Sequence, residues 1–184
     1  MRSMPNPGLL PPDPARSHAD MLVDRASDHA HSMLAAGAPK REILTRLATA
    51  GEILAGPGTA VSILVIDEHG LLRNGASPNL PADYLDAIDR LRPDASVGTC
   101  AAAAATGFAI ETPDFRADDK WAELRHLPLA IGYVGAWSMP IKAPDGEVLG
   151  TFGTYFREHR TPTPDERRGV ERLAATAAIV LAGH

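Results

Sequence analysis

Cysteine is almost absent from this chain. A single Cys100 in 184 residues excludes an internal disulfide and any zinc site built on thiolates. It also fits a reducing compartment, so the chain is expected in the cytoplasm. Positive charge is not in excess either. Eighteen Lys and Arg against 23 Asp and Glu give a formal net charge of −5, which leaves no basic face for nucleic acid, and DNA binding is not expected. No run approaches the roughly 20 apolar residues that cross a bilayer. The prolines of MRSMPNPGLLPPDPARS stand where a secretory leader needs an apolar stretch. Aromatic residues are scarce at 5%, so each large ring is conspicuous. What remains is a 45% hydrophobic composition, enough for the core of one soluble domain. Residues 1–16 read as a flexible Pro-rich tail and 17–184 as that domain.

Apolar residues at helical spacing predict a helix over about 17–36, carried by Leu22, Ala26, Ala30, Met33 and Leu34. A second helix starts at Pro39, with Ile43, Leu47, Ala50 and Leu54 on one face, and GPG at 56–58 ends it. AVSILVID (60–67) and LLRNGAS (71–77) predict a hairpin around EHG. A helix over 80–91 opens at Pro81. GFAIET (107–112) is a short strand and DDKWAELRHL (118–127) a helix. YVGAWSMPI (133–141) and EVLGTFGTYF (147–156) form a second hairpin about APDG, whose Asp145-Gly146 pair is a strong turn signal. Thr163, Pro164 and Glu166 open the final helix with a capping box. Central strands apolar on both sides predict a sheet covered on both faces.

The stretch SVGTCAAAAATG (96–107) is the most unusual. Five alanines carry no reactive group, but they favour a helix and let it lie close to whatever it packs on. Ser96 and Thr99 are N-cap candidates, and Gly98 permits close approach of backbone or ligand. The amides of Gly98 to Ala102 at such a helix start form an anion site. No Lys or Arg lies in the motif, so a small monovalent anion such as nitrate suits it better than a phosphate. Cys100 would gain acidity at a helix start, yet a thiol-based reductase needs a second thiol to resolve the oxidised one, and the chain has none. It is therefore expected to pack the helix, and the chain is not expected to be an enzyme. The seven histidines show no ligand spacing, and no carboxylate pair is placed for acid–base work.

RNGASPNLP (73–81), SVGTCAAAAATG, DDKWAELR (118–125), WSMPI (137–141) and EVLGTFGTYF resemble, in order and spacing, the GAF domain of bacterial sensor proteins, over about Ile43 to Ala182. The resemblance implies an α+β fold: a six-stranded antiparallel sheet with helices on both faces and a pocket between the sheet and one helical layer. It implies a regulatory role, binding a small molecule and signalling to a partner such as a sensor kinase. It names no cofactor. Laid on the pocket, the resemblance makes Val97, Gly98, Thr99, Cys100, Ala101, Ala102, Tyr133 and Trp137 the expected ligand contacts, with Trp137 on the strand that forms the pocket floor. No output segment follows the matched region, and Met1 with its tail suits a free-standing protein. Free-standing relatives include a nitrate receptor and a free methionine sulfoxide reductase. The alternative functions are a protein-interaction or dimerisation module without a ligand and, behind it, an enzyme like the free methionine sulfoxide reductase. The extra apolar stripe of 17–36 exceeds what one small domain must cover, which predicts a homodimer through the terminal helices.

Overall fold

Two long helices open the fold and a third closes it. A computed structural model describes residues 15–183, so His184 and most of the Pro-rich tail lie outside the described residues. Helix α1 (His18–Ala35) begins with a capping box in which Ser17 and Asp20 satisfy each other's backbone amides. Gly37, in the left-handed region at φ 76°, turns the chain into α2 (Lys40–Ala55). Helix α6 (Pro164–Ala182) starts with the Thr163 hydroxyl accepting from the Glu166 amide at 3.2 Å and Pro at its first position. The three helices pack on one another, with α2 and α6 lying on the sheet and α1 seated over them.

The apolar stripe on α1 is consumed by that packing. Val23 and Ala30 are fully buried, and Ala26, Met33 and Leu34 pack on the same core as α2 and α6. The argument for a dimer through this stripe therefore fails, because its partner is intramolecular.

The sheet is antiparallel, in the order β2-β1-β5-β4-β3. Its strands are β1 (Ala60–Ile66), β2 (Leu72–Ala76), β3 (Ile110–Thr112), β4 (Gly135–Lys142) and β5 (Val148–Phe156). Five strands stand where six were expected. The structure reduces the sixth to one bridge, Leu72 to Leu91. Arg90 has a positive φ of 65°, and Pro93, which lacks an amide donor, follows two residues after Leu91, so no ladder can grow there.

Register sorts the side chains onto two faces. Thr154 pairs with Trp137 and Phe152 with Met139 and Ile63. These residues share the α2/α6 core, except Thr154, which faces the same way. Tyr155 pairs with Ala136 and Ala60, and Gly153 with Ser138 and Ser62. These point the other way, toward a cover of short pieces: α3 (Ala82–Ala87), α4 (Cys100–Thr106), a 3-10 turn at Asp119–Trp121 and α5 (His126–Ala130).

The cover is less helical than its sequence suggests. α3 stops at Ala87 because the chain turns to make the Leu91 bridge. The helix expected over 118–127 is split into the 3-10 turn and α5. Pro128 has no amide to give the Leu124 carbonyl, so one continuous helix cannot form. β3 is three residues rather than six.

Candidate ligand site between α4 and the sheet

Small side chains bring α4 onto the sheet. Ala101, Ala102, Ala103 and Ala104 are all buried. Where α4 meets β5, Gly153 has no side chain; a Cβ there would lie 2.9 Å from Cys100 Sγ. The alanine run thus makes a thin helix, and the glycine opposite receives its sulfur. Burial pushes the Cys100 thiol above its usual range, and the neighbouring Ser138 and Thr151 hydroxyls partly oppose the shift. Those two hydroxyls are fully buried and find no oxygen or nitrogen partner among the described residues. The thiol beside them is a weak one.

A chain of hydrogen bonds joins α4 to the rest of the cover. Trp121 Nε1 donates to Thr99 Oγ1 at 2.8 Å. Thr99 Oγ1 lies 2.9 Å from Thr112 Oγ1, and Thr112 donates to Asp118 Oδ2 at 3.3 Å. The Thr112 proton is directed to the carboxylate, so the Thr99 hydroxyl is the donor between the two threonines. Asp118 also caps the Lys120 amide at 3.0 Å and pairs with Lys120 Nζ at 2.8 Å. The Gly98 amide, expected to be free, donates to the Lys120 carbonyl at 2.7 Å. Gly98 sits at φ 59°, a conformation that a side chain would strain.

Thr99 is the N-terminal flank of α4, but its side chain caps nothing there. Ser96 does not cap it either; its hydroxyl donates to Asp94 at 2.6 Å. The amides of Thr99, Cys100, Ala101 and Ala102 have no acceptor among the described residues. The first backbone acceptor used in this turn is the Thr99 carbonyl, which receives the Ala103 amide at 3.0 Å.

Beside this turn lies a cavity of about 20 Å³, lined by Leu64, Tyr84, Ile88, Leu91, Gly98, Thr99, Cys100, Ala101, Trp121, Leu124 and Tyr155. That volume holds about one water. Its wall carries no Lys, Arg or His. Tyr84 donates to the Tyr155 hydroxyl at 2.7 Å, ring edge to face. Burial raises both phenols well above their usual range.

Of the expected contacts, the structure brings Gly98, Thr99, Cys100 and Ala101 to this cavity. Val97 is half-buried just before it, its amide bonded to Asp94 at 3.2 Å. Ala102 is buried within α4 away from the lining. Tyr133 belongs to the same aromatic cluster, 5.6 Å from the Tyr155 ring and under the Arg157 guanidinium, but it does not line the cavity. Trp137 is on the wrong face. It lies in the α2/α6 core, with Arg167 above its ring, because β4 is buried on both sides and alternation alone does not say which face is up. Tyr84, Ile88, Leu91, Trp121, Leu124, Leu64 and Tyr155 were not among the expected contacts. Tyr84 and Tyr155 are two of only three tyrosines, and that scarcity was the available signal.

A small cavity between an antiparallel sheet and a short-helix cover, with a three-helix layer behind the sheet, is the architecture of a two-sided α+β domain. The family model for the GAF domain matches residues 38–182, and the chain belongs to that family. A methyl sulfide methyltransferase-associated sensor from Methanosarcina acetivorans is 30% identical over 175 residues, 95% of this chain. The chain spans 17% of that relative's length. Among solved structures, the GAF domain of an Acinetobacter phosphoenolpyruvate-protein phosphotransferase superposes with a TM-score of 0.71 at 12% identity, covering 91% of this chain and 94% of that one. The free methionine-R-sulfoxide reductase of Neisseria meningitidis, in complex with its substrate, superposes with a TM-score of 0.69 at 14% identity, covering 92% and 93%. At such identities these two likenesses concern the fold alone.

Proposed function

We propose that this GAF domain is a non-enzymatic sensor that takes a ligand of few heavy atoms at the cavity beside α4. The ligand directs an acceptor oxygen at the amides of Thr99 to Ala102. The observation that carries this reading is the coincidence of four unpartnered amides with a cavity next to the same residues. Nitrate, a small monovalent anion with acceptor oxygens, is a candidate that fits this chemistry. With no cation in the wall, a multiply charged ligand would be buried at high cost.

A volume near 20 Å³ does not hold nitrate with the cover as it stands. Binding would displace the cover segment that bears Trp121 and Leu124. Ligand would thus select a more open cover. The sheet carries that change to the α1/α2/α6 bundle, where a partner such as a sensor kinase would read it. A free methionine sulfoxide reductase activity is not proposed, because Cys100 has a raised pKa and no second thiol accompanies it. The small cavity also favours a second reading, a protein-interaction module with no ligand.

Thermal unfolding against nitrate, nitrite, chloride, sulfate and cyclic nucleotides at matched ionic strength separates the two. A ligand at 100 times its dissociation constant adds about 2.7 kcal/mol, or roughly 5–10 °C in a domain of this size. A shift with nitrate or nitrite alone supports the anion sensor. No shift with any member moves the function to the interaction module.

A further inference from the structure

β3 is the shortest of the five strands and lies at the edge of the sheet, where it pairs with β4 alone. It nevertheless reaches both layers. Thr112 pairs with Ala136, which belongs to the aromatic cluster of the cover. On that side Thr112 accepts from Thr99 and donates to Asp118. Glu111, one residue back, pairs with Trp137 of the α2/α6 core. Its carboxylate forms an ion pair with Arg167 of α6, whose guanidinium lies over the Trp137 ring, 5.9 Å from its centre. Two adjacent residues on opposite faces of one strand thus join the hydrogen-bond chain beside the cavity to the first turn of α6. The same turn is tied to α2. Both Glu166 carboxylate oxygens accept from Arg160 Nη1, at 2.9 and 3.0 Å, and Arg160 Nη2 donates to the Ala55 carbonyl at the end of α2 at 3.0 Å.

We infer that β3 is the lever by which the state of the cavity cover reaches α6, with the Glu111–Arg167 pair as its outer grip. The inference rests on the cavity beside α4 being the sensing site. Two features suit β3 to this role. A three-residue strand paired on one side stands at the low-stability end of a sheet and can shift without global unfolding. The outer grip is an ion pair whose side chains are 42% and 29% exposed, so it holds position while adding little to stability. With the cover closed, Thr99 and Asp118 hold Thr112, and Glu111 holds Arg167. A ligand that displaces the turn capped by Asp118 takes away the acceptor of Thr112. β3 is then released from its inner side, and the first turn of α6 loosens with it.

Amide hydrogen exchange of the full chain, resolved by NMR, tests the lever. Thr99→Val removes the hydroxyl that donates to Thr112 and loosens the cover without any ligand. Exchange over the first two turns of α6 should then rise about 2–30-fold, the range of energetic coupling between linked sites. That rise is counted beyond the change at the buried Leu47 of α2, which reports global opening. In a Glu111→Gln or Arg167→Gln background the same Thr99→Val change should raise exchange in the cover, with no added rise in α6. Saturating nitrate repeats the comparison with a ligand. The amides of Thr99 to Ala102 should shift in both the wild type and Glu111→Gln, and α6 should respond in the wild type alone. An α6 indifferent to Thr99→Val, or one that responds equally with and without the ion pair, overturns the lever. No nitrate effect at Thr99 to Ala102 in either chain overturns the sensing-site reading instead, and the ligand-free comparison still decides whether β3 couples the cover to α6.

Discussion

Thr99 holds the cover to α4, and replacing it with valine measures how firmly. Thr99 is 2% exposed and takes part in two hydrogen bonds, accepting from Trp121 Nε1 at 2.8 Å and donating to Thr112 at 2.9 Å. Valine keeps the shape and removes the oxygen. The Trp121 indole N–H is then buried without an acceptor, which costs about 1–3 kcal/mol. Thr112 loses a donor but keeps Asp118, a smaller loss. Thr99→Val should therefore cost about 2–3 kcal/mol, lowering Tm by roughly 4–12 °C. Thr99→Ser keeps the hydroxyl and gives up one methyl, about 0.8 kcal/mol. Urea unfolding followed by far-UV circular dichroism gives both numbers. Combining Thr99→Val with Trp121→Phe isolates the bond, with a coupling energy of about 0.5–3 kcal/mol. A valine variant that loses no more than the serine variant would show that this bond does not hold the cover.

Other expectations follow from the same packing. Gly153→Ala places a Cβ 2.9 Å from Cys100 Sγ and should cost about 1–3 kcal/mol; adding Cys100→Ala should recover most of it in urea unfolding, and an additive double variant would contradict the contact. Trp137→Phe should cost about 1–3 kcal/mol, all of it from the volume left empty, because the indole N–H it removes has no partner among the described residues; it should leave any ligand-induced Tm shift unchanged, since Trp137 faces away from the cavity. Stability should fall at alkaline pH. Cys100, Tyr84 and Tyr155 all have raised folded pKa values, so the native state holds these protons more tightly. That stability is present below the unfolded values, about 8.5 for the thiol and about 10 for the phenols, and is lost as pH rises beyond them. Cys100→Ser should move the onset of this loss in urea midpoints from about pH 8.5 to about pH 10, and an onset still near 8.5 would contradict it.

The long elements were legible because each carried its own signal. The Asp145-Gly146 turn, the Thr163-Pro164 start of α6 and the stripes of α1 and α2 are local features, and the structure places turns and helices there. The alanine run was legible as a thin helix for the same reason. What escaped reading depended on tertiary pairing. Nothing local to residues 80–91 shows that Leu91 will bridge to Leu72 and cut α3 short. The face of Trp137 was illegible because β4 is apolar toward both layers, which removes the alternation that would orient it. Tyr155 joins the cavity only through the register of β5 against β1 and β4. Its partnership with Tyr84 spans 71 residues, beyond any spacing argument. The Gly98 amide was expected to be open, and the Lys120 carbonyl that occupies it comes from a turn whose position the sequence left as helix.

The most direct test of the ligand site is an amide-resolved NMR titration of the isotopically labelled chain with nitrate, against chloride at equal ionic strength. The account expects saturable shifts at the amides of Thr99 to Ala102 and at the indole N–H of Trp121, as the ligand meets the first turn and displaces the cover. The Trp137 indole, on the other face of the sheet, should remain still. Shifts that never saturate, that match those of chloride, or that fall away from α4 and Trp121 would contradict the account and leave this cavity as packing alone.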